Sequence, residues 1–122
     1  MGLDMSAYTT KAPIPAVDLT VVPEDAVQIA YWRKHPSLHG WMEQLYRSEG
    51  GTAEIFNCVP MRIDAEDLDA LERALDESGL PETTGLFFGV TCPEDIALDR
   101  AFIAAVRAAL AAGAFVFYDS WW

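Results

Sequence analysis

The sequence predicts a single α+β domain over residues 1–122, with a mainly antiparallel sheet of about five strands and three helices packed largely on one face. Three observations predict it. Apolar side chains alternate with period two in GLDMSAYT near the start of the chain, and AFVFYDSWW at its end is a strand-like run with aromatics on both faces. Three internal segments carry helical spacing, each opened by a proline or a capping residue. Most connections are too short for the crossovers of a doubly wound sheet. At 122 residues and 52% hydrophobic content, the chain can bury a core without disulfide or metal staples.

Residues 2–9 read as the first strand, with Leu3, Met5 and Ala7 alternating against Asp4, Ser6 and Tyr8. Residues 17–22 resume the alternation before Pro23, which makes them an edge strand or an extended loop, because proline cannot donate to a ladder. Residues 27–33 read as a central strand. Pro36 fits the first turn of a helix and pushes His35 into the cap position, so a helix is expected over 36–48. Leu38, Trp41, Met42, Leu45 and Tyr46 form its apolar stripe, and Gly50 and Gly51 stop it.

Residues 55–63 read as the next strand, bulged or at an edge because of Pro60. The second helix is the best specified element: Asp64 caps it, Asp67 holds the reciprocal position, Ile63 staples onto Leu68, and Leu68, Leu71 and Leu75 face inward. Gly79 ends it. A short apolar strand is expected over 85–90. Pro93, Glu94 and Asp95 open a third helix that runs to about Ala112, with Ile96, Ile103, Val106 and Leu110 on one stripe and Phe102 widening it. Residues 114–122 form the last strand, with aromatics on both faces.

Eight Lys and Arg stand against 19 Asp and Glu, a net charge of −11, so a phosphate backbone would be repelled and direct nucleic-acid binding is disfavoured. A basic surface on another protein is the partner such a charge suits. No apolar run reaches the length of a membrane span and the N-terminus lacks the order of a secretory signal, so the expected location is cytoplasmic, with no membrane partner. Cys58 and Cys92 are expected to be reduced, small and buried.

The densest chemistry lies in YWRKHPSLHGW, residues 31–41. The candidate ligand- or partner-binding residues are Trp32, Arg33, Lys34, His39 and Trp41, joined by Tyr118 and Trp121 from the last strand. Arg33, if turned inward, needs a carboxylate, with Asp4 and Asp119 the available choices. In a binding role, Arg33, His39, Tyr118, Trp32 and Trp121 would line a pocket for a small anionic or planar ligand. His35, His39, Cys58 and Cys92 have the number but not the spacing of a zinc site, so no metal or other cofactor is expected; His35 reads as a cap-region hydrogen bonder and His39 as lying on the helix flank. Cys92, at a helix N-terminus, is the better placed thiol for a pairing with His39, yet no catalytic residue is assigned. Asp64, Glu66, Asp67, Asp69, Glu72, Asp76 and Glu77 crowd one helix. They read most simply as a solvated face, and more sharply as an acidic docking face that imitates a polyanion.

Taken together, MGLDM, IAYWRKHPSLHGW, the NC at 57–58, LPETTGLFFG and FYDSWW resemble a family of small uncharacterised proteins of bacteriophages and bacterial genomes. The matching pieces span nearly the whole chain. The resemblance implies a phage or prophage setting and no particular chemistry. Ser6 stands where such sequences tend to have tyrosine, and Asp119 adds a negative charge to their tyrosine, serine and tryptophan ending. A phosphoglycerate kinase activity, a label some similar sequences carry, is excluded by size and by the lack of a glycine-rich phosphate loop.

The function expected from these features is that of a non-enzymatic, phage- or prophage-associated protein docking an acidic or aromatic surface on a host protein. Inhibition of a nucleic-acid-binding defence system, as an anti-CRISPR does, is one concrete form. The alternative is a small-molecule binder or small enzyme with a pocket around Arg33, His39 and Tyr118. A third is a homo-oligomer sealed by Trp121 and Trp122.

Overall fold

The computed structural model describes residues 2–85 and 88–122. In chain order the elements are β1 (Asp4–Thr10), β2 (Val27–Arg33), α1 (Pro36–Ser48), β3 (Met61–Ile63), α2 (Ala65–Asp76), α3 (Pro93–Ala111) and β4 (Phe115–Trp121). The strands form one antiparallel sheet in the order β2-β1-β4-β3. The two ends of the chain therefore meet at its centre, where β1 and β4 pair from Asp4↔Trp121 to Thr10↔Phe115.

The α+β class and the three helices are as the sequence predicts. The sheet has four strands instead of about five, and the losses follow from prolines and backbone turns. Residues 17–22 take the extended-loop alternative and, among the described residues, pair with the sheet at the single bridge Val17↔Met61. Of the strand expected over 55–63 only Met61–Ile63 remains, because Cys58 takes a left-handed φ of 59° and Pro60 has no N–H to donate. The strand expected over 85–90 falls partly on Leu86 and Phe87, outside the described residues, while Gly85 and Phe88, Gly89 and Val90 lie in no strand. Strand β2 is also corrected: it lies at an edge of the sheet, with only Trp32 of its seven residues buried.

All three helices cover one face. Met5 and Ala7 of β1, Trp32 of β2 and Val116 and Tyr118 of β4 meet Leu38 and Met42 of α1, Leu68 and Leu71 of α2, and Phe102 and Val106 of α3. Each Val, Leu, Met or Phe among them contributes about 1.5–3 kcal/mol on leaving water. The caps hold two helices where the sequence places them: the Asp64 N–H donates to Asp67 Oδ2 at 2.8 Å, and the Cys92 N–H to Asp95 Oδ2 at 2.8 Å. Helix α1 lacks a side-chain cap from His35; the Thr91 hydroxyl, 54 residues away, accepts from the Ser37 N–H at 3.1 Å instead.

Among the described residues, the opposite face of the sheet carries no helix. Its β3 end is covered by the loop after β1, with the Arg62 guanidinium donating to the Ile14 carbonyl at 2.8 Å and the Arg62 N–H to that of Ala16 at 3.0 Å. There Phe117 is buried outside the main apolar cluster and stacks on Tyr8 at 5.1 Å. The β2 end of this face is open.

Candidate binding face on the open side of the sheet

Strand register builds this face. Asp4 stands between Arg33 on β2 and Trp121 on β4, and Ser6 between Tyr31 and Asp119. The Tyr31 hydroxyl at 2.6 Å and the Arg33 Nη1 at 2.8 Å both donate to Asp4 Oδ1, and in that order they hold the Asp4 carboxyl below the usual range. Trp121 is 69% exposed and Tyr31 51%. Beside them runs a groove of about 180 Å³ lined by Asp4, Ser6, Tyr8, Cys58, Asp119, Ser120 and Trp121.

Asp119 is the distinctive group in this groove. It is half-buried, forms no ion pair among the described residues, and accepts only from the Ser120 N–H at 2.9 Å. Burial pushes its carboxyl up, and it in turn adds to the burial that raises the Cys58 thiol. A carboxylate short of partners, with the rings of Tyr8 and Trp121 lining the same groove, suits a cationic side chain with an aliphatic stem.

The structure divides the residues singled out in the sequence. Arg33 and Trp121 belong to this face, and the Asp4 ion pair expected of Arg33 exists, although on the open side and not inside the core. Trp32 points the other way and packs edge-on against Phe102 at 4.9 Å; its Nε1–H has no acceptor among the described residues. Lys34 is exposed just beyond β2 with φ 59°, and Trp41 is half-buried against the core. His39 is fully buried, not on the helix flank: its Nδ1 lies 2.7 Å from the Tyr118 hydroxyl and its ring stacks on Phe56 at 5.1 Å. Burial lowers His39 to about 4 and raises Tyr118 well above its ordinary value, so both are neutral at pH 7. The pocket expected around Arg33, His39 and Tyr118 is not assembled, because strand alternation sends Arg33 and Trp121 to one face and Trp32 and Tyr118 to the other.

A second constellation was missed in the sequence. His35 Nδ1 lies 3.1 Å from Thr91 Oγ1 and Nε2 lies 2.8 Å from Asp99 Oδ2, with His35 and Asp99 fully enclosed. Hydroxyl, imidazole and carboxylate stand in the order of a nucleophilic hydrolase. The imidazole, however, has no exposed surface to meet a leaving group, and Thr91 Oγ1 already accepts from Ser37. The chain of bonds works as a pin between the start of α1, the segment before α3, and α3 itself. Its one sequence signal is Asp99, an acid set within the apolar stripe of α3 between Ile96 and Phe102.

The cysteines expected to be buried are both exposed. Among the described residues no group of three or more His, Cys, Asp or Glu gathers as metal ligands would, and no helix is long and apolar enough to cross a membrane. The acidic helix is not a bare anionic face. Arg107 of α3 binds Asp69 and Glu72 at 2.9 Å each, Arg100 binds Asp76 at 2.9 Å, Arg62 binds Asp64 at 3.0 Å, and Asp67 serves the capping box. Glu66 and Glu77 alone of the seven stand outside these bonds among the described residues.

No family model, curated protein or solved structure matches this chain.

Proposed function

We propose that this protein is a non-enzymatic binding protein, of the phage- or prophage-associated kind its sequence resembles, which docks on a basic host protein through the open face of its sheet. The observation that carries the reading is Asp119, a half-buried carboxylate without a cationic partner among the described residues, set in a groove beside the exposed Trp121. A lysine or arginine of the partner fits there by charge and by the packing of its stem on the aromatic rings. The net charge of −11 supports a basic partner. Acids on α2 contribute less, since most already hold an arginine or a helix cap. Inhibition of a host nucleic-acid-binding defence protein, anti-CRISPR-like, is the form this docking takes in the proposal.

The test is capture from host lysate at low and high salt with three baits: the native chain, an Asp119→Asn, Trp121→Ala variant, and a Glu66→Gln, Glu77→Gln variant. The expected result is one basic partner retained by the native bait and by the α2 variant, released at high salt, and lost from the Asp119, Trp121 variant. Equal capture by all three baits, or loss only from the α2 variant, would overturn the open-face reading.

A further inference from the structure

The outer edge of β2 is a second surface, independent of the docking face. Strand β2 bonds β1 on one side and no strand among the described residues on the other. Alternate residues of the seven-residue strand thus turn their backbone donors and acceptors outward, open to another strand, and within Val27–Trp32 there is no charge or proline of the kind that usually blunts such an edge. Val27 is 59% exposed and Tyr31 51%.

Beside this edge, where α3 packs on β2, lies a groove of about 380 Å³ lined by Ile29, Trp32, Leu98, Ala101, Phe102 and Ala105 among others, with Leu98 49% exposed. An apolar groove next to an open strand edge is what a second sheet with its own helix would cover.

The charges at the two ends of the strand identify the occupant. Glu24 precedes β2 and Lys34 follows it, both exposed and neither in an ion pair among the described residues, whereas Asp25 already accepts from Thr10 and Lys11 and Arg33 already holds Asp4. Two copies of β2 placed antiparallel across a two-fold axis bring the acidic end of each against the basic end of the other. An isologous pair satisfies both ends at once, whereas a parallel copy would oppose like charges. We infer that the protein forms a two-fold dimer through β2, in which the sheets join into one of eight strands and the α3 helices close over the grooves. Such a dimer leaves the Asp119 grooves open and presents both on the same side, doubling the docking face without occluding it.

Sedimentation equilibrium of the native chain decides the matter together with three variants. The expected mass is twice the 13.5 kDa of one chain. Leu98→Glu with Ala101→Glu, both at exposed positions in the groove, should give the single-chain mass with an unchanged circular dichroism spectrum. Lys34→Glu should weaken the dimer about tenfold or more, and adding Glu24→Lys should restore it. A native chain of single mass throughout the concentration range, or a dimer of unchanged strength in the Leu98, Ala101 variant, would overturn the inference; failure of Glu24→Lys to rescue Lys34→Glu would overturn the antiparallel pairing on which it rests.

Discussion

Nε2 of His35 lies 2.8 Å from Oδ2 of Asp99, and neither side chain has exposed surface, so the residue that introduces the first helix is bound to the middle of the third. Buried partners of this kind are hard to remove singly, because the survivor keeps its desolvation cost and loses its bond. Asp99→Ala is expected to lower the free energy of unfolding by about 3–5 kcal/mol. Thr91→Val, which removes the hydroxyl that caps α1, should cost about 1 kcal/mol. Urea denaturation measures both. An Asp99→Ala protein of native stability would show that the pin holds nothing.

His39 makes stability depend on pH. Its folded value of about 4 lies below the ordinary 6.5, so between these values the unfolded chain binds the proton more readily. The contribution is fully present above pH 6.5, declines as pH falls towards 4, and is absent below; at 1.36 kcal/mol per unit it amounts to about 3 kcal/mol. Asp67 and Asp119, raised by burial, work in the opposite sense as pH falls. Thermal melts of the native chain and of a His39→Phe, Tyr118→Phe variant across this range separate the terms. The variant's stability should fall less steeply towards acid, and identical slopes would contradict the role given to His39.

Asp119→Asn should leave the melting temperature at pH 7 unchanged or raise it, since the ionised carboxylate is disfavoured where it sits. A group that is unhelpful to folding is retained more readily when it serves binding. A marked drop in melting temperature would instead make Asp119 a structural residue.

The two terminal tryptophans are expected to behave differently. Trp121 is 69% exposed, and its replacement by alanine should change stability by no more than about 0.5 kcal/mol. Trp122 donates from Nε1 to the Phe56 carbonyl and from its N–H to Asn57 Oδ1, both at 3.1 Å, and meets the Phe88 ring edge-on at 5.0 Å. Trp122→Ala should cost about 2 kcal/mol or more. Equal effects in chemical denaturation would refute the distinction.

Gly40 is required by a close approach. A Cβ built there would fall 1.9 Å from Thr83 Oγ1, so Gly40→Ala should destabilise by about 1–3 kcal/mol. Adding Thr83→Ala should recover most of that loss, because alanine is the better helix former by about 1 kcal/mol once the clash is gone. Failure of the second substitution to recover stability would place the conflict elsewhere.

Helix boundaries were legible in the sequence because the signals that fix them act within one or two turns. Pro36, the Asp64 and Asp67 pair, and Pro93 with Asp95 set three helix starts by local sterics and hydrogen bonding. The period-two pattern of residues 2–9 likewise marked β1, and the aromatic run at the C-terminus marked β4. The strand expected over 55–63 was overread, since a strand-like run persists through 55–60 where Cys58 and Pro60 cannot hold a ladder, while 17–22 took the extended-loop alternative.

By itself the sequence determined an α+β chain, its three helices, the presence of a first and a last strand, and its negative charge. Tertiary structure alone decided that β2 is an edge, that His39 and Trp32 face inward while Arg33 and Trp121 face out, and that Arg100 and Arg107 neutralise much of α2. The physical reason is range. Capping and periodicity are written in neighbouring residues, whereas the environment of a histidine or an acid is set by partners tens of residues away, as Thr91 and Asp99 are for His35.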